Sequence, residues 1–116
     1  MDRVGDLAYV IIDTRDPAIS VAFWSKMLGL PVSKTDEPFT DLTVAAGSNV
    51  TIGIQQVDHW QEGHSGIHID INVSDLDVAI AHVQDLGGHL IEIRGDKERW
   101  AVMVDPAGNT FCLVTS

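Results

Sequence analysis

His68 and Asp70 are the two residues in this sequence best placed for joint chemistry. They sit two apart in the run Ile67-His68-Ile69-Asp70-Ile71-Asn72-Val73, where apolar and polar side chains alternate without a break. Residues two apart in a strand share a face, so an imidazole and a carboxylate stand side by side there and could act as an oriented acid–base couple. They are the best catalytic candidates the sequence offers. Cys112 is the lone cysteine; on a strand with no base beside it, it reads as a small hydrophobe rather than a nucleophile. His59 and His64 precede His68 at spacings that fit no single helix face, and they lie in the polar connector Val57 to Gly66, where solvated histidines are expected. His82 and His89 read as surface or partly buried residues. The sequence contains no nucleophile elbow, phosphate loop or dinucleotide glycine fingerprint.

The elements that must carry these residues come as two similar halves. In the first, the alternating run Leu7 to Asp13 leads to Asp16-Pro17, a carboxylate cap followed by a proline at the first helical position. Ile19, Ala22, Phe23 and Met27 then fall on one helical face, and Gly29 ends the element. In the second half the strand is Ile67 to Val73, Asp75 is the cap, Leu76, Ala79, Ile80 and Val83 form the apolar face, and Gly87-Gly88 is the stop. A shift of 59 residues superposes the halves, taking Asp16 to Asp75, Gly29 to Gly88 and Tyr9 to His68. Three short β-type runs follow each helix: Pro31–Lys34, Thr40–Ala45 and Val50–Val57, then His89–Ile93, Arg99–Val104 and Thr110–Val114. The order is βαβββ twice, with module 1 at about 5–57 and module 2 at about 66–115 of a single domain spanning 1–116.

Composition narrows the function. Seventeen acidic against seven basic residues give a formal charge of −10, a surface that repels phosphate backbones and anionic lipid, so neither nucleic acid nor membrane is an expected partner. The apolar run Leu7 to Ile12 is too short for a membrane span or a signal-peptide core. One cysteine allows no internal disulfide and suits a reducing compartment, so a cytoplasmic location is expected. The strand phase set by Ile67–Val73 puts Tyr9, Ile11 and Asp13 on the polar side of the first strand. It puts Thr51, Gly53 and Gln55 on that side of the fourth, and Thr110, Cys112 and Val114 on that side of the eighth.

The two βαβββ units, Phe23-Trp24 ahead of Leu28-Gly29-Leu30, the His68-Ile69-Asp70 strand and the Asp105-Pro106-Ala107-Gly108-Asn109 turn together resemble the vicinal oxygen chelate superfamily. That superfamily includes glyoxalases, extradiol dioxygenases, fosfomycin-modifying enzymes and bleomycin-binding resistance proteins, and the nearest likeness is to its glyoxalase-like branch. The resemblance implies an α+β fold in which two paired βαβββ modules curl eight strands into a cup, often with dimerisation, so a homodimer is expected. It also implies that metal-dependent members place one ligand on each of the first, fourth, fifth and eighth strands, positions held here by Tyr9, Gln55, His68 and Cys112.

That set is poor for a divalent ion. Tyrosine stays protonated at neutral pH, a glutamine amide is a weak ligand, and His68 alone is of the usual His or Glu type. The expectation is therefore a small-molecule-binding protein with no metal and no other cofactor, holding an organic ligand through Tyr9, Gln55, His68, Asp70, Trp100 and Cys112. Trp100 at the start of the seventh strand, or Trp60 in the connector, would wall the pocket, while Trp24 belongs to the core. The alternative is a metal-dependent lyase or dioxygenase with an atypical site.

Overall fold

Both helices start where a carboxylate can receive their unpaired N–H groups. In the computed structural model of the chain, which describes residues 3–58 and 66–115, Asp16 accepts from the Ile19 N–H and Asp75 from the Val78 N–H. Gly29, at φ 68°, closes the first helix in the left-handed region that a side chain disfavours. The element order is β1 (Asp6–Thr14), α1 (Pro17–Leu28), β2 (Val32–Asp36), β3 (Phe39–Leu42), β4 (Thr51–Gln56), β5 (Ile67–Asn72), α2 (Leu76–Asp85), β6 (His89–Arg94), β7 (Trp100–Val104) and β8 (Thr110–Val114). This is the expected α+β architecture of two βαβββ modules. The third strand is shorter than its apolar run suggested, ending at Leu42.

Contacts divide the chain into residues 9–68 and residues 1–8 with 69–116. In the first unit the strands hydrogen-bond in the order β2-β3-β4-β1, with β1 and β4 parallel and the β2–β3 and β3–β4 pairs antiparallel. In the second the order is β5-β8-β7-β6, again with one parallel pair, β5 with β8. The turn before β8 owes its form to Asp105, whose carboxylate accepts from the N–H groups of Ala107 and Asn109 and from the Asn109 side chain. Those bonds favour the ionised form and hold the Asp105 carboxyl below the usual carboxylate range.

The modules pack their helices differently. In module 2, Leu76, Ala79, Ile80 and Val83 of α2 are buried, as their spacing predicts, against Val73, Ala101, Met103 and Leu113. In module 1 no residue of α1 is buried. The predicted packing face of α1 is wrong: Ile19, Phe23 and Met27 are 69%, 56% and 68% exposed, and Ala22 is exposed too. The half-buried residues of α1 are instead Pro17, Ser20, Val21, Trp24 and Ser25. Four of these, Pro17, Ser20, Val21 and Trp24, lie 59 positions before the buried face of α2. Orientation therefore follows the repeat, and the most apolar stripe faces outward. Small side chains on the inner face leave an open groove of about 380 Å³ between α1 and β2–β3, lined by Ala18, Val21, Ser25, Val32, Thr35 and Thr40.

Candidate functional site

Strand register builds the face that carries the chemistry. In the β5–β8 pair Asp70 stands opposite Cys112, and Ile71 stands opposite the buried Leu113 on the other side of the strands, the side that packs on α2. His68 precedes Asp70 by two residues on the same strand and so shares its face. Val102 of β7 stands opposite Cys112, which puts Trp100, two residues away, on that face as well. His68, Asp70 and Cys112 bring one donor atom each to within 4.8 Å of one another, and they are the one such group of metal-ligating side chains among the described residues. All three are half-buried, as is Trp100.

The surroundings set the state of the thiol. Burial pushes Cys112 up to about 11, the charge of Asp70 adds to that, and Arg94 pulls the other way. At neutral pH the sulfur is a protonated, weak hydrogen-bond donor and not a nucleophile. This agrees with the reading of Cys112 as an unreactive side chain.

Module 1 presents its own version of the same face. Ile11 of β1 stands opposite Gly53 of β4, and Asp13 opposite Gln55; on β3, Asp41 stands opposite Gly53. Tyr9, Gln55 and Asp41 are half-buried, and the side chain of Tyr9 hydrogen-bonds that of Asp41. A Cβ added at Gly53 would lie 2.9 Å from Ile11 Cδ1, 3.3 Å from Asp41 Oδ1 and 3.8 Å from Tyr9 Cδ1, so the missing side chain is what lets these three converge. Burial raises the Asp41 carboxyl above its ordinary value despite Lys34 and the Tyr9 bond. Ile11 has the expected phase but is buried, so that side of β1 is not uniformly polar.

Asp41 was missed by sequence reasoning. No local signal marks it, because its place across from Gly53 is set by the β3–β4 register. The structure brings His68, Asp70 and Cys112 together and adds Trp100 to their face; it places Tyr9 and Gln55 on the module 1 strands. Trp60, His59 and His64 lie outside the described residues. His82 and His89 are exposed. No helix of the described residues is long and apolar enough to cross a membrane.

A family model described as a glyoxalase-like domain matches residues 9–114. The chain belongs to that family. With it comes membership of the vicinal oxygen chelate superfamily, and the fold is shared with solved structures at low identity. Methylmalonyl-CoA epimerase from Mycobacterium tuberculosis is 18% identical, with a TM-score of 0.72 over 99% of this chain and 91% of that one. A glyoxalase/bleomycin resistance protein/dioxygenase superfamily member from Vibrio splendidus 12B01 is 18% identical, with a TM-score of 0.68 over 95% and 99%. The protein BH1468 from Bacillus halodurans C-125 is also 18% identical, with a TM-score of 0.73 over 98% and 96%. No curated protein matches the chain.

The ligand positions that the superfamily implies do not fit a divalent ion here. The Tyr9 side chain is engaged with Asp41, Gln55 is uncharged, and the Cys112 thiol holds its proton. His68, Asp70 and Cys112 form a different set. An imidazole nitrogen, a carboxylate oxygen and a sulfur together are a zinc-type donor group, and the sulfur would have to give up its proton to join it.

Proposed function

We propose that this glyoxalase-like domain binds a small organic molecule on the face carrying His68, Asp70 and Cys112, by direct hydrogen bonds rather than through a metal ion. The convergence of three donor atoms within 4.8 Å on a half-buried face carries this reading. Asp70 accepts, the imidazole of His68 can donate or accept, and the protonated thiol donates weakly. That combination suits a ligand with neighbouring hydroxyl and carbonyl oxygens, and Trp100 offers an apolar wall beside them. Should the bound molecule be turned over, His68 is the group to move a proton, with Asp70 orienting it.

The test is a thermal-shift screen of small hydroxy and oxo compounds. A compound that raises the melting temperature of the wild type should lose most of that effect in His68→Ala and keep it in the presence of chelator. The same three donors favour a second reading, a zinc-dependent enzyme with an atypical site. Calorimetry showing one zinc per chain, abolished in Cys112→Ser, together with loss of ligand binding on chelation, would replace the first reading with the second.

A further inference from the structure

We infer that the ligand of the donor face is an organic acid whose carboxylate is held by Arg94, with an aryl or short alkyl spacer joining that group to the oxygens met by Asp70 and Cys112. This rests on the proposed reading of that face as a ligand site and adds the ligand's charge to it. Arg94 of β6 stands opposite Trp100 of β7, and directly opposed residues of an antiparallel pair point to the same side. Val102 lies between Glu92 of β6 and Cys112 of β8 in one row across the strands. Arg94 and Glu92 therefore belong to the face that carries Asp70 and Cys112. Reach agrees with register: the Arg94 charge is felt at the Cys112 sulfur, where it opposes burial and Asp70. Module 2 has one other arginine, Arg99, and that one turns to α2, where it meets Asp77 at 3.4 Å.

The arginine selects the charge of the ligand. Its Nε donates to a carboxylate oxygen of Glu92, which orients the guanidinium and leaves the fork of its two terminal nitrogens for a second acceptor. That fork matches a carboxylate through two parallel charge-assisted bonds. The Arg94 side chain is 57% exposed, so an incoming anion reaches it without displacing protein. Between Arg94 and Asp70 the face is apolar. The strand order β5-β8-β7-β6 puts the two residues on its outer strands, about 14 Å apart from backbone to backbone at ordinary strand spacing. Cys112, Val114, Val102 and Trp100 fill the interval, all half-buried and none charged at neutral pH. The turn after Arg94 holds the indole close: a Cβ at Gly95, whose φ is 83°, would lie 2.9 Å from Trp100 Cζ3. A compact polar ligand would leave either the apolar strip or one polar end uncovered. A molecule anionic at one end, apolar in the middle and bearing a hydroxyl or carbonyl at the other covers all three. Its carboxylate goes to the Arg94 end because Asp70 repels it at the opposite one.

Calorimetric titration with matched acids and amides tests this. Each carboxylic acid in a panel of hydroxy and oxo compounds is paired with its uncharged carboxamide, beginning with para-hydroxybenzoate, para-hydroxyphenylacetate and omega-hydroxyhexanoate. The wild type should bind an acid about tenfold more tightly than its amide, a preference that shrinks as salt is raised. Arg94→Gln should remove the preference. Arg94→Lys, which keeps the charge and loses the fork, should retain only part of it. Both changes fall on an exposed position of an outer strand, so the melting temperature should hold. Equal affinities for acid and amide in the wild type, or a preference that survives Arg94→Gln, overturn the assignment of Arg94. Amide binding that is lost in His68→Ala would then still uphold the ligand site itself. A chain that binds no member of the panel overturns the reading of the face and the acid with it.

Discussion

At matched positions the two modules made opposite choices. Where module 2 pairs Asp70 with Cys112 across β5 and β8, module 1 pairs Ile11 with Gly53 across β1 and β4, and the shift of 59 residues carries one pair onto the other. Where α2 buries four side chains, α1 buries none. Module 2 therefore unites a dense core with a donor-bearing face on opposite sides of the same strands. Module 1 supplies its carboxylate from β3, as Asp41 in the space Gly53 leaves, and leaves its helix lightly seated. The apolar capacity of α1 is turned outward. A duplicated fold can thus differ between its copies, with one densely packed behind a donor-bearing face and the other only half-anchored.

The sharpest way to break this comparison uses the same truncation in both helices. Val83 of α2 is buried in the core cluster, while Val21 of α1 is half-buried beside an open groove. Val83→Ala should cost about 2 kcal/mol, from ~0.8 kcal/mol for each buried methyl plus the cavity left behind. Val21→Ala should cost less than about 1 kcal/mol, because the groove already gives that side chain few partners. Urea midpoints at constant slope measure both. Equal losses would mean that α1 is as firmly seated as α2.

Much of this asymmetry was legible in the sequence. The caps at Asp16 and Asp75, the stops at Gly29 and Gly87 and the apolar face of α2 follow from local rules and appear in the structure; β5 keeps its alternation, but Ile67 and Ile69 are exposed and only Ile71 and Val73 of its apolar face reach the core. The face of α1 was misread because amphipathic counting picks the richest apolar stripe, and here that stripe is Ile19-Phe23-Met27. The repeat held the right answer: subtracting 59 from the α2 face gives Pro17, Ser20, Val21 and Trp24. Asp41 was hidden for another reason. Its role depends on which residue lies across the hairpin, and register cannot be read from one strand's alternation.

A second prediction sharpens the contrast at Gly53. A Cβ there meets Ile11 Cδ1 at 2.9 Å and Asp41 Oδ1 at 3.3 Å. The first contact is the movable end of a side chain and the second a carboxylate already desolvated. Gly53→Ala should therefore cost about 1 kcal/mol rather than unfold the module. The urea midpoint gives the cost. A neutral or stabilising result would show that Gly53 is not kept for the room it gives Asp41.

The smallest expected effect concerns the thiol of module 2, and it is the most diagnostic of the donor face. Burial and the Asp70 charge hold the Cys112 pKa at about 11, above the ordinary thiol value. The folded chain therefore binds the thiol proton more tightly than the unfolded chain does. By linkage this contribution to stability is whole below the ordinary thiol value and is lost as pH rises toward about 11. Alkylation by iodoacetamide requires the thiolate, so its rate in the folded protein should stay low at pH 8 and climb only as pH approaches 11. Asp70→Asn removes the neighbouring negative charge while leaving burial in place. The alkylation midpoint should then fall part of the way toward the ordinary value, while Arg94→Gln, which removes a favourable charge, should raise it. Opposite shifts from these two substitutions would establish that Cys112 senses the charges of its own module. A midpoint near the ordinary value in the wild type, or one indifferent to Asp70, would mean that the sulfur is solvated and that the donor group does not act as a unit.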